Sequence, residues 1–349
     1  MHSVRTTVCR VAAATTLVFL AACGGGSSAA KAPTAPSAPT PPAPPPVVGW
    51  SVAGVLVDTV GKQPVGGAQL APSWDLAAVA TGADGAFSLG ATANPPTTPY
   101  RLTVSGSNLV SRELWVGWQP GVRSGITLDV IRDAAPFSMS FYRQLVRGTY
   151  DAEGAPWPVL RWTGSPKFYV KTTDQNGRAI ETEVLAALGN VLPGAVAAYS
   201  SGTLSVAAIE TGPDERPEAK GWINISFRRS TSSEQYCGWA SVGADPGSIT
   251  FTDRCACGSN KVAGSLVYHE VGHALGFFHV SDESSVMYPY DDGRCPPAVL
   301  SASEKHHVAI AYSRPRGNED PDRDPGSPYF LDSLPVPRIV RCGLRSVTR

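Results

Sequence analysis

The 349 residues carry 29 Lys+Arg and 29 Asp+Glu, a formal net charge of zero. That balance argues against nucleic acid or a polybasic membrane surface as partner, and the length is ample for two ordinary domains. Gly 35, Pro 31 and a charged fraction of 17% point to a turn-rich exported protein rather than a helical cytosolic one.

At the N-terminus, Arg5 and Arg10 precede an apolar run from Val11 to Ala22. It is shorter than the roughly 20 residues a membrane-spanning helix needs and suits a signal-peptide core. Leu20-Ala21-Ala22-Cys23-Gly24 resembles a bacterial lipobox. The resemblance implies a lipoprotein signal peptide over 1–22, cleavage before Cys23 and lipidation of Cys23. It also implies an extracytoplasmic protein anchored to a bacterial membrane, at the outer membrane or cell surface. The alternative is an ordinary signal peptide with a chance cysteine. Residues 23–48 are Gly/Ser-rich and then Pro-rich, with almost no large apolar side chain, and read as a tether. Setting Cys9 and Cys23 aside leaves Cys237, Cys255, Cys257, Cys295 and Cys342. An oxidising compartment predicts disulfides among them, of open connectivity, and the odd count leaves at least one otherwise engaged. Cys255-x-Cys257 fits no common structural zinc spacing.

Residues 49–132 read as short strands broken by Gly, Pro, Asp and Asn: 50–57, 65–71, 76–81, 85–90, 99–105, 109–116 and 123–131. This spacing predicts a small antiparallel β-sandwich. Gly54-Val-Leu-Val-Asp58, Gly61, Pro64-Val65, Gly67-Ala68, Thr81, Asp84-Gly85, Phe87 and Leu89 are similar to carboxypeptidase regulatory-like domains. No ionisable residues cluster there, so a spacer or binding module is expected rather than a catalytic one.

The region 136–313 changes character. Pro166 to Lys171 reads as a strand, and Ile180, Val184, Leu185, Leu188 and Leu192 recur at helical spacing up to Pro193, which is expected to kink or end the helix. Strand-like runs follow at 204–209, 222–228 and 248–252. A second helix begins near Val262, and a third at Ser301, where Ser301 and Glu304 form a capping box. The order predicts an α+β domain. In the extension 314–349, the first stretch (RPRGNEDPDRDPGSP) reads as a solvated loop. The more apolar remainder is expected to pack back on this α+β domain, pinned by Cys342.

The chemistry lies in His269-Glu270-Val271-Gly272-His273-Ala274-Leu275-Gly276-Phe277-Phe278-His279, which fits H-E-x-x-H-x-x-G-x-x-H. His269 and His273, at i and i+4, project from one helix face and can share an ion. A continued helix would carry His279 about 240° away from His273. Gly276 can take positive φ, stop the helix and let His279 swing back. Three neutral imidazoles leave Zn²⁺ one open position, the pattern of catalytic rather than structural sites. Such an ion polarises a carbonyl and makes water a nucleophile near neutral pH. Glu270 can act as general base and then general acid without binding the metal. His306 and His307 read as ordinary residues of the last helix.

HEVGHALGFFH followed by Val286-Met287-Tyr288-Pro289-Tyr290 resembles the metzincin zinc proteases, and among them the matrixins. Trp162 to Val170 (WTGSPKFYV) is similar to the start of matrixin catalytic domains. The resemblance covers about 166–313. It implies a twisted mixed sheet with an active-site helix and a C-terminal helix, and endopeptidase activity on protein or peptide substrates. It further implies one catalytic Zn²⁺ on His269, His273 and His279, Glu270 as base, and Met287 in a Met-turn beneath the ligands. Tyr288, Pro289 and Tyr290 are implied as walls of a pocket for the residue after the cut. Astacins and serralysins carry a tyrosine where Pro289 stands, which argues against those families.

The departures are specific. Ligands for a second, structural zinc are not evident, and calcium is possible but unsupported, since Asp291-Asp292 reads equally as a solvated turn. The cysteine-bearing stretch 237–257 reads as an insertion. Arg341-Cys342-Gly343 resembles the core of the matrixin inhibitory segment at the opposite end of the chain, with chance or a disulfide the favoured explanation. The competing function is a surface adhesion or binding lipoprotein with a vestigial protease domain. Retention of Glu270 argues against it.

Overall fold

Along Tyr100–Ser105 every second residue is buried, the period of a strand with one face on a core. It is one of seven strands in the N-terminal part: β1 (Trp50–Asp58), β2 (Gln69–Pro72), β3 (Val79–Ala80), β4 (Ala86–Thr92), β5 (Tyr100–Ser105), β6 (Arg112–Val116) and β7 (Val122–Val130). They form a three-stranded sheet, β4-β1-β7, and a four-stranded sheet, β3-β2-β5-β6. Leu56, Leu70, Leu89, Leu102 and Val130, drawn from both sheets, share one core. The antiparallel expectation fails at one pair, because β1 and β7 run parallel. Gly54 permits that pairing at an irregularity in register, where a Cβ would lie 1.9 Å from the Ile126 carbonyl oxygen.

The structure is a computed structural model. It describes residues 50–73, 76–92, 99–116, 122–152, 156–230, 236–253, 262–291, 299–326 and 339–344. The signal segment, Cys23, the tether, Cys255, Cys257, Asp292 and Cys295 lie outside the described residues.

The second part contains α1 (Met139–Arg147), β8 (Lys167–Asp174), α2 (Thr182–Tyr199), β9 (Ala208–Gly212), β10 (Trp222–Arg228), β11 (Tyr236–Ser241), β12 (Gly247–Thr252), α3 (Gly264–Ala274), β13 (Tyr290–Asp291), α4 (Ala302–Ser313) and β14 (Ile339–Leu344). Mixed strands and helices make this an α+β fold. Its seven-stranded sheet has the order β13-β14-β11-β12-β10-β8-β9. Strands β9, β8, β10 and β12 are parallel, β11 is antiparallel to β12, and β14 is antiparallel to β11 and parallel to β13. Helix α3 lies against α2, β11 and β12 and buries its residues on all sides, as a helix in the middle of a core must.

Several expectations are corrected. Helix α1 was not predicted, although Ser138 caps its start and Gly148, at φ 67°, caps its end. Pro193 does not end α2, because Ala195, Val196 and Tyr199 beyond it are buried in the core and hold the last turns. The run at 204–209 forms its strand later, at Ala208–Gly212. Tyr236–Ser241, which overlaps the start of the stretch read as an insertion, is an interior strand of the main sheet. Cys237 on that strand is disulfide-bonded.

The largest correction concerns residues 314–324, read as a solvated loop. Arg314, Asn318 and Asp322 are all buried. Arg314 grips both oxygens of Asp322 at 2.7 Å and reaches Asp129 of β7 at 2.5 Å and Thr59 at 2.9 Å. Arg112 joins Asp129 and Asp324. The buried Arg147 at the end of α1 bonds the Asn318 side chain at 2.8 Å and its carbonyl at 2.9 Å. A charge-rich segment can be buried when each charge meets a partner, and these pairs tie β7 of the N-terminal part to the second part. Composition reports the charges but not the pairing.

Candidate metal centre

Helix α3 carries His269 and His273 and stops after Ala274. The Gly276 N–H donates to the His273 carbonyl at 2.8 Å, and the Phe277 N–H donates to the Gly272 carbonyl at 3.0 Å. This pair of bonds is the Schellman motif, with Gly276 in the left-handed position at φ 107°. A side chain would not fit there in any case, since a Cβ would lie 2.7–2.8 Å from the Leu160 carbonyl group. The reversed chain brings His279 back to the first two histidines.

The three Nε2 atoms form a near-equilateral triangle with sides of 3.0, 3.1 and 3.1 Å. Each Nδ1 is already committed. His269 Nδ1 meets the Val286 carbonyl at 2.7 Å, His273 Nδ1 the Phe277 carbonyl at 2.8 Å, and His279 Nδ1 the Asp151 carboxylate at 2.6 Å. A carbonyl or carboxylate oxygen only accepts, so each Nδ1 must carry the proton. In a neutral ring with its proton on Nδ1, Nε2 presents a lone pair. Burial, with a smaller push from His279, lowers His269 to about 3 and holds His273 well below the usual imidazole range, so both are neutral at pH 7. The His269 and His273 Nε2 lone pairs converge on the Nε2 of His279 and repel one another unless a cation sits among them. Nitrogen ligands on tetrahedral Zn²⁺ stand about 3.3–3.4 Å apart for bonds of about 2.0–2.1 Å. The donor set and its spacing therefore fit zinc to within a few tenths of an ångström, and the group His269, His273 and His279 could hold a metal ion.

Glu270 lies beside this triangle, fully buried. Neither carboxylate oxygen has a hydrogen-bond partner among the described residues, and burial raises its pKa well above the usual carboxylate range. Gly238 of β11 fits against it, since a Cβ there would lie 2.6 Å from Oε1. A buried carboxyl without a partner costs stability.

Met287 is buried beneath α3 and accepts a hydrogen bond from Tyr199 Oη at 2.9 Å. Gly272 makes the contact possible, because a Cβ would come within 2.7 Å of both Met287 Sδ and the Tyr199 ring. Glu304, the capping-box residue of α4, accepts from the Ser301 N–H at 2.7 Å and also takes the Ser285 hydroxyl. Ser285 Oγ in turn accepts the Met287 N–H at 3.0 Å. The start of α4 thus fixes the turn under the histidines.

Pro289 is buried, Tyr288 is half-buried with its hydroxyl on Glu283, and Tyr290 is exposed with its ring 5.6 Å from that of Tyr288. His307 is a satisfied core residue, bonded to Ser303 and Ser138 backbone atoms. Asp151 is the residue that sequence reasoning missed. It follows the Gly148 turn of α1, and the Phe278 N–H docks on the Leu145 carbonyl at 2.7 Å to bring the two segments together. No local spacing announces a partner that far away.

Residues 247–311 match the peptidase M10 family, Matrixin. No curated protein matches the chain. Among solved structures, a DUF3823 family protein from Parabacteroides merdae is 19% identical, with a TM-score of 0.19, over 25% of this chain. The match spans 47%, about half, of that protein's own chain.

Proposed function

We propose that the protein is a zinc-dependent endopeptidase of matrixin type, cutting proteins outside the cytoplasm. The observation that carries the reading is the triangle of three committed imidazoles beside a buried, unpartnered Glu270. His269, His273 and His279 would hold the ion, which when bound supplies a Lewis acid for the carbonyl and activates water near neutral pH. Glu270 takes the proton that the attacking water gives up. It then delivers that proton to the departing amide nitrogen, so the C–N bond breaks to a carboxylic acid and a neutral amine. Asp151 holds the His279 ring in the tautomer that presents Nε2, and the carbonyls of Val286 and Phe277 do the same for His269 and His273. Met287 and Tyr199 keep α3 at a fixed height, and Tyr288, Pro289 and Tyr290 would wall the pocket for the residue after the cut.

In this reading lipidated Cys23 tethers the enzyme to a bacterial membrane, and the carboxypeptidase regulatory-like N-terminal part serves as spacer or binding module. The competing reading is a binding lipoprotein with a relic site. It is disfavoured because a relic gains nothing from a buried carboxylate left without a partner. The test is hydrolysis of casein or gelatin with and without chelator, beside Glu270→Ala. Hydrolysis that survives both would defeat the reading.

A further inference from the structure

Strand β14 sits in the main sheet between β11 and β13. Its partners are antiparallel β11, with Gly238 opposite Cys342, Trp239 opposite Arg341 and Ala240 opposite Val340, and parallel β13, with Tyr290 opposite Gly343. Without β14, β11 would be a free sheet edge facing β13 across a gap one strand wide, roughly 9–10 Å between flanking strands. One wall of that gap is the strand whose Gly238 abuts Glu270, and the other begins at Tyr290. An exposed edge of this kind takes an extended peptide by strand addition, with backbone bonds giving affinity and alternate side chains giving specificity. The β14 side chains alternate accordingly. Val340 and Cys342 are buried, while Ile339 and Arg341 face out. Val340 enters an apolar cluster of Leu160, Val242 and Phe278, Arg341 lies over the Tyr236 ring at 5.1 Å, and Cys342 is paired with Gly238, the residue that abuts Glu270.

We propose that Ile339–Leu344 is an autoinhibitory strand, occupying the slot in which an extended peptide substrate lies beside Glu270. The inference rests on the peptidase reading and adds its regulation. The enzyme is latent while β14 is paired and gains activity when β14 leaves. Val340 is the anchoring side chain, and the substrate class is a peptide in extended conformation.

The experiment compares the zinc-loaded full chain with two full-length variants, Val340→Asp, which places a charge in the apolar cluster, and Arg341→Pro, which removes a backbone donor from the strand. The readouts are hydrolysis of fluorescein-labelled casein, zinc content, and hydrogen exchange of the β11 amides. An open state populated at about 0.1–10% in the parent chain predicts a gain of about 10- to 1,000-fold in both variants, with zinc content unchanged and β11 exchange accelerated. The synthetic peptide IVRCGL should inhibit the variants, and a scrambled peptide should not. A parent chain as active as variants whose β11 exchange has accelerated overturns the inference and leaves the peptidase reading intact. Zinc-bound variants with exposed β11 amides and no hydrolysis overturn both. Cutting of the parent chain within 339–344, absent in Glu270→Ala, shows a substrate rather than an inhibitor and also overturns the inference.

Discussion

His279 donates from Nδ1 to Asp151 Oδ1 at 2.6 Å, and its backbone N–H donates to Asp151 Oδ2 at 3.0 Å, across a sequence separation of 128 residues. One carboxylate thus fixes both the ring and the backbone of the third histidine. Because α3 has already ended, nothing helical positions His279, and this fork replaces the helix as its support.

Asp151→Asn is expected to weaken zinc binding by about 10–100-fold, the usual effect of losing a partner behind a ligand. Competition with a chromogenic chelator measures it. An unchanged affinity would mean that Gly276 alone positions His279.

Two helical glycines should respond to alanine with opposite signs. Gly272→Ala forces a methyl into the 2.7 Å approach of Met287 Sδ and the Tyr199 ring, an overpacking worth about 1–3 kcal/mol of stability. Gly189 of α2 has nothing within 4 Å of its Cβ direction, so Gly189→Ala should stabilise by up to about 1 kcal/mol. Thermal unfolding of the two variants checks both, and a stabilised Gly272→Ala would refute the packing described under α3.

Asp129 gives the fold an acid dependence. Burial pushes its carboxyl up, but Arg314 and Arg112 outweigh burial and hold it at about 2, below the usual carboxylate range. A carboxyl depressed on folding stabilises above its unfolded pKa and loses that contribution as pH falls through the folded value. Asp129→Asn should therefore lower the Tm of the chelator-treated protein at pH 7. The gap to the parent should close between about pH 4 and pH 2. A gap that is constant across that window would place the stabilisation elsewhere.

Much of the site was legible because its spacing is local. His269, Glu270 and His273 sit within one helical turn, Gly276 announces the reversal, and Ser301 with Glu304 announces the cap that holds the turn containing Met287. What escaped depends on distant pairing. Asp151 lacks any motif, and Arg314 reads as solvated until Asp129 and Asp322 are seen around it. β11 and β14 were missed for the same reason. YCGWAS is short and glycine-interrupted, and IVRCGL becomes a strand only by filling the gap between β11 and β13. The parallel pairing of β1 with β7 brings Gly54 against Ile126, an approach that shows only once the two strands are side by side.

Zinc content and casein hydrolysis, measured for the chain bearing Val340→Asp with and without Glu270→Gln, test whether the three histidines and Glu270 form a working zinc peptidase. One zinc per chain is expected in both, bound through the three histidines, with a loss of about 10²–10⁴-fold in hydrolysis with Glu270→Gln. Absence of stoichiometric zinc, or hydrolysis undiminished without the carboxylate, would contradict the peptidase reading.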